Sequence, residues 1–169
     1  MKKALSIALV FTFALGWLFI GGPLSPAQAN SAPILQFNNM VGIPQDLTGT
    51  QHPIRDINGG GLPWTLTSAN GVLTSTGRLV LNVNGLVFAA GTNEGSNTIP
   101  EFGVIVSCLS SDGSVVNLSA GLFSATTGSA LTGGGDAHIQ TNVDLPQTCI
   151  APIIFVTSPT GVWFAATGK

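Results

Sequence analysis

Ala137-His138-Ile139-Gln140-Thr141-Asn142-Val143-Asp144-Leu145 alternates without a break. Ala137, Ile139, Thr141, Val143 and Leu145 fall on one side of an extended chain; His138, Gln140, Asn142 and Asp144 fall on the other. A period of two puts one face against a core and leaves the other wet, as in a half-buried antiparallel strand. The rest of the chain follows the same pattern. Phe102 to Leu109 is a continuous apolar run, predicting a strand buried on both faces. Arg78 to Ala90 is a long β stretch interrupted at Asn84-Gly85, and Ile34 to Val41 reads as a first strand. Turn chemistry punctuates these runs. Asn70-Gly71, between Pro63–Thr67 and Val72–Ser75, is a strong short-range hairpin signal. Ser111-Asp112-Gly113 turns the chain into Ser114–Leu118, and Ser158-Pro159-Thr160-Gly161 has the proline and glycine placement of a type I turn. Gln51 to Gly61 is polar and glycine-rich, a loop.

No segment sustains a helical period. About nine or ten short strands with regular turn signals predict an all-β fold. The expected architecture is a single-domain antiparallel β-sandwich, with a β-trefoil or other closed barrel as the alternative. The trefoil draws on a weak internal echo among Gly85–Gly91, Gly121–Gly128 and Gly161–Gly168. Against it, glycine-bounded apolar strands resemble one another in any Gly/Ala/Thr-rich β protein.

Residues 1–29 read as a secretory signal peptide: Lys2 and Lys3, an apolar run from Ala4 to Gly22, Pro23 and Pro26, then Ala27-Gln28-Ala29 as a small-x-small cleavage site. The apolar run approaches the roughly 20 residues that span a bilayer, so an uncleaved signal anchor at the cell surface is the alternative. Beyond it, 30–62 is expected to hold an N-terminal strand and a Gly-rich loop, and 63–169 the sandwich core.

Charged residues make up 7% of the chain, against roughly 25% in a typical domain. Past the leader the bases are Arg55, Arg78 and Lys169, too few for a nucleic-acid surface or strong attraction to anionic lipid. Membrane contact is therefore expected only through the leader, if it is uncleaved. A surface of Ser, Thr, Asn, Gln and Gly suits either an ordinary extracellular β domain or one that packs against itself or a neutral cell-wall polysaccharide. Cys108 and Cys149, an even count in an exported chain, predict a disulfide.

Little in the sequence carries chemistry. Tyr is absent and His52 and His138 are the two histidines. No Gly-x-Ser-x-Gly elbow accompanies them. Asp136 and Asp144 bracket one strand, about 26 Å apart at roughly 3.3 Å per residue, too far to share one bond. Gly133-Gly134-Gly135-Asp136 is a single copy of a motif that binds calcium in tandem arrays, and reads as a turn. Asn117-Leu118-Ser119 is a formal glycosylation site within an expected strand. No metal or cofactor is expected, and no catalytic residue is assigned. If the protein binds sugar, Trp64 and Trp163 are the candidate aromatic platforms; otherwise they are core.

The runs Gly60-Gly61-Leu62-Pro63-Trp64, Gly77-Arg78-Leu79, Val106-Ser107-Cys108-Leu109 and Ile150 to Ala165 resemble a group of uncharacterised secreted bacterial proteins. The resemblance spans roughly residues 54–168 and implies a shared extracellular β fold containing both cysteines. It implies no activity. The expectation is thus a non-enzymatic, secreted or surface-bound β protein with a structural or binding role, and a secreted hydrolase or enzyme inhibitor is the alternative.

Overall fold

The computed structural model of the protein describes residues 31–168, and the leader reading over 1–29 lies outside them. The chain runs through thirteen strands: β1 (Pro33–Phe37), β2 (Val41–Gly42), β3 (Trp64–Thr65), β4 (Ser68–Thr74), β5 (Arg78–Asn84), β6 (Val87–Phe88), β7 (Ser96–Asn97), β8 (Glu101–Leu109), β9 (Val115–Ser124), β10 (Gly128–Ser129), β11 (Ala137–Asn142), β12 (Ile150–Thr157) and β13 (Trp163–Ala166). Two short 3₁₀ turns, Gln45–Leu47 and Ala130–Thr132, complete the regular structure. None of the described helices is long and apolar enough to cross a membrane.

The strands form an all-β sandwich. One sheet has the order β1-β4-β5-β11 and the other β2-β13-β12-β8-β9, and every pairing within them is antiparallel. Leu73, Leu79, Leu81, Val83 and Ile139 from the first sheet join Val104, Val106, Ile154 and Val156 from the second in one buried cluster. No strand of one sheet pairs with a strand of the other, so no barrel closes. The three echoing segments also have unlike roles. The first holds β6, in a two-stranded ribbon with β3; the second holds the end of β9; the third holds β13. The likeness is one of composition, and the trefoil alternative falls.

The alternation that decided the fold is observed. Ala137 and Ile139 are buried while His138, Gln140 and Asn142 are exposed. On β5, Leu79, Leu81 and Val83 point inward and alternate with Arg78, Val80, Asn82 and Asn84. β8 is buried on both faces: Phe102, Val104 and Val106 on one, Gly103 and Ser107 on the other. The segment expected at 30–62 packs on the core, since β1 extends one sheet, β2 extends the other, and Met40 and Ile43 are fully buried. The first strand is split, with Asn38 and Asn39 between β1 and β2 as the chain passes from one sheet to the other.

The Asn70-Gly71 hairpin is corrected. Both residues lie inside β4, with Asn70 opposite Asn82 and Gly71 opposite Leu81. The reversal comes later, at Ser75-Thr76-Gly77, where Gly77 has φ 85° and its N–H donates to Thr74 O. An Asn-Gly turn of the favoured kind needs positive φ at both central residues, which this pair does not adopt. Gly71 serves close approach instead: a Cβ there would fall 2.6 Å from Val80 O and 2.8 Å from Phe37 Cζ. The other turns hold. Gly161 N–H donates to Ser158 O at 3.0 Å, closing the type I turn. In the Ser111–Gly113 turn the Ser110 hydroxyl, and after it the Ser114 backbone N–H, donate to Asp112 and hold its carboxyl at about 2, below the ordinary range. Because this folded value is depressed, the contribution is present above the ordinary carboxylate pKa and is lost as pH falls toward 2.

Candidate functional site

Two surfaces have the shape to receive something. The larger, a groove of about 820 Å³, runs between β1 and the start of β12, with Arg55, Ala151 and Ile153 in its lining. Its most conspicuous features are structural. The β12 register breaks between Ile150 and Ile153, and Pro152 inside the break has no N–H to give the ladder. The carbonyls of Ser107 and Ala151 are met by Arg55 instead, whose Nη1 donates to Ser107 O at 3.2 Å and Nη2 to Ala151 O at 2.7 Å. Asn117 Nδ2 in turn donates to Arg55 O at 2.8 Å. Arg55, Asp56 and Ala151 are the three non-glycine residues with positive φ among the described residues. Strain of this kind persists where surrounding contacts over-determine it, and here the guanidinium clamp does so. Arg55→Ala is expected to cost about 1–3 kcal/mol, since charge-assisted bonds are lost and Ser107 O is stranded. Urea unfolding of the variant checks this.

The second surface is the outer face of β1-β4-β5-β11. The sheet register lays its side chains out in rows. Asn70, Asn82 and His138 form one cross-strand row, and Val72, Val80 and Gln140 the next. Ser68 with Asn84 and Arg78 with Asn142 flank them. Strand spacing and rise make this a grid of about 4.8 by 6.7 Å. Three shallow clefts, of about 500, 390 and 430 Å³, cover the face, and Asn82 lines the first two. Phe37 lines the second, with its ring against Gly71. Between Arg78 at one end and Asp136 at the other, the rows carry amides, a hydroxyl, an imidazole and two half-buried valines.

These side chains are fixed by one another. Asn82 Nδ2 donates to Asn70 Oδ1 at 3.1 Å, and Asn84 Nδ2 donates to Ser68 Oγ at 3.1 Å. The first bond orients the Asn82 amide, so its Oδ1 faces His138 Nδ1 at 2.6 Å. An amide oxygen accepts only, so the proton sits on Nδ1 and, in the neutral ring, Nε2 keeps a free lone pair. The row Asn70–Asn82–His138 thus ends in an oriented acceptor on an exposed surface.

The sequence-predicted residues divide cleanly. Cys108 and Cys149 are joined, with Cα atoms 4.9 Å apart, and link β8 to the residue immediately before its neighbour β12. Trp64 and Trp163 are 3% and 2% exposed, so the core reading holds and neither ring is presented as a platform. Trp64 stacks on Phe164 and lies against Phe88, both at 4.1 Å between centroids. Asp136 and His138 do line one cleft with Ser124, but Asp136 Oδ1 accepts the Gly85 N–H at 2.8 Å and His138 is held by Asn82. Gly133–Gly135 form a tight turn, and a Cβ at Gly134 would fall 1.9 Å from Gly128 O. Among the described residues no three His, Cys, Asp or Glu side chains group as metal ligands. The sequence reading missed Asn70, Asn82 and Asn84 as a set. Their signal was present as polar positions alternating with the apolar ones on β4 and β5, obscured by assigning Asn70 and Asn84 to turns.

No family model matches the chain, and neither a curated protein nor a solved structure matches it.

Proposed function

We propose that this is a non-enzymatic extracellular binding module that holds a neutral, hydroxyl-rich polymer, such as a cell-wall polysaccharide, on the outer face of β1-β4-β5-β11. The observation that carries the reading is the pre-oriented row Asn70–Asn82–His138. Amides donate and accept, as sugar hydroxyls do, an imidazole ring adds a further polar edge, and orienting these groups beforehand lowers the entropy cost of binding. The half-buried Val72 and Val80 beside the row offer an apolar strip to the C–H face of a sugar ring. Low charge favours a neutral partner over an anionic one. An extracellular setting is supported by the leader-like sequence of residues 1–29 and by the disulfide.

Titration of the protein with soluble neutral oligosaccharides, an anionic polysaccharide serving as control, tests the reading by amide NMR. Shifts are expected at Asn70, Asn82, His138 and Gln140 and not along the Arg55 groove. Asn82→Ala breaks the row at its middle and is expected to weaken binding about tenfold, equivalent to about 1.4 kcal/mol. Absence of shifts on this face with every neutral oligosaccharide would reject the proposal. Cleavage products would favour the hydrolase reading, centred on the cleft of Ser124, Asp136 and His138.

A further inference from the structure

We infer that β9 is a docking edge for a second copy of this chain. The sandwich has four sheet edges: β1 and β11 on one sheet, β2 and β9 on the other. β2 is two residues long, β1 is five residues and begins at Pro33, and β11 is six. β9 is ten residues long and carries no charged side chain and no proline. Natural edges are normally protected by such residues, because every second residue directs its N–H and C=O away from the sheet. Two features shield the C-terminal half of β9: a bulge near Ala120, where the register with β8 shifts, and the approach of β11 from the other sheet. Val115 to Ser119 remains a regular open edge.

The side chains favour a copy of the chain over a charged partner. Val115 and Leu122 are 37% and 51% exposed. They pair with Leu109 and Gly103 of β8, so both stand on the face opposite Val104 and Val106 despite the bulge. They lie toward opposite ends of the strand, with Asn117 and Ser119 between them. A two-fold antiparallel pairing therefore brings Val115 of each copy toward Leu122 of the other, covering both exposed apolar groups. No like charges meet across such a pairing. The edge measures about 33 Å by 10 Å, or about 330 Å² per copy, well under the roughly 800 Å² of a standard stable interface. The dimer is accordingly weak and reversible, and each carries two copies of the polar sheet face.

Sedimentation velocity over about 10 µM to 1 mM, the range for an association of this size, together with hydrogen exchange of the Val115–Ser119 amides, tests the inference. Self-association that rises with concentration, with protection of those amides rising in step, is expected. Val115→Lys/Leu122→Lys should abolish it with the far-UV spectrum unchanged, and Leu122→Lys alone, at the more exposed site, should weaken it at least tenfold if the double variant misfolds. A monomer across the whole range, or a dimer that persists in the folded lysine variants, would overturn it. Sugar binding by a strictly monomeric protein would reject this inference and leave the sheet-face proposal intact.

Discussion

Replacing Cys108 and Cys149 together with alanine is expected to lower the unfolding free energy by about 4 kcal/mol, the chain-entropy value for a loop whose ends are 41 residues apart. The enclosed loop holds β9, β10 and β11, and β11 belongs to the opposite sheet. Cutting the bridge therefore frees a segment that takes part in both layers of the sandwich. The bridge also sits beside the broken register of β12, where Leu109 and Ile150 pair and ladder bonding then lapses until Ile153. Local support at that point falls to the Arg55 clamp. Urea denaturation of the reduced and alkylated protein and of the double variant measures the effect. Both should lose stability, and the denaturant slope should rise because the uncrosslinked unfolded chain is more expanded. A loss under about 1 kcal/mol would mean that the unfolded loop is already compact.

Trp64→Ala is the second large expected effect, about 3–5 kcal/mol from lost burial and the cavity left behind. The magnitude follows from position. Trp64 lies on the short strand β3, and its ring is enclosed by Phe88 at 4.1 Å, Phe164 at 4.1 Å and Phe102 at 6.4 Å. Phe102 and Phe164 belong to the five-stranded sheet, whereas Phe88 belongs to β6, so the indole ties the small β3-β6 ribbon to the main core. Trp163 behaves differently. Its ring is equally buried, but Nε1 has no hydrogen-bond partner among the described residues. Removing an orphaned buried donor recovers part of what the lost area costs, so Trp163→Phe should fall within about 1 kcal/mol of the parent. Thermal unfolding of the two variants side by side separates them. Sugar binding at equal folded fraction should survive both, since neither ring reaches the polar face.

What could be read from the sequence was what depends on neighbours along the chain. The alternation of Ala137 to Leu145, the doubly buried run from Phe102 and the turns at Asp112-Gly113 and Pro159 to Gly161 are local patterns, and each appears in the fold as expected. The disulfide was legible from the even cysteine count and the leader-like sequence of residues 1–29. The failure at Asn70-Gly71 has a physical cause. The pair has the chemistry of a turn, but glycine also permits close backbone approach, and only the position of Phe37 on β1 selects between those uses. The candidate site was illegible for a related reason. Asn70, Asn82 and His138 are brought into one row by register across three strands, and register depends on where the β4–β5 reversal falls. A reversal assigned to Asn70-Gly71 instead of Ser75 to Gly77 dissolves the row. The Arg55 clamp needs three separate strands to be in place before it can be seen at all.

The position of Asn70-Gly71 inside β4 also bears on how the protein ages. Asparagine followed by glycine is the sequence most prone to deamidation, because the glycine N–H readily attacks the side-chain amide carbon to form a succinimide. That attack requires a backbone freedom which a hydrogen-bonded strand withholds, and the Asn70 amide is further occupied by Asn82. The folded sheet thus acts as a chemical preservative for its own exposed face. Each excursion to the unfolded state removes the protection, and a single conversion of Asn70 would place a permanent negative charge in the middle of a neutral surface. Such a protein carries a record of how often it has unfolded, written as added mass units at its Asn-Gly pairs, residue 70 among them.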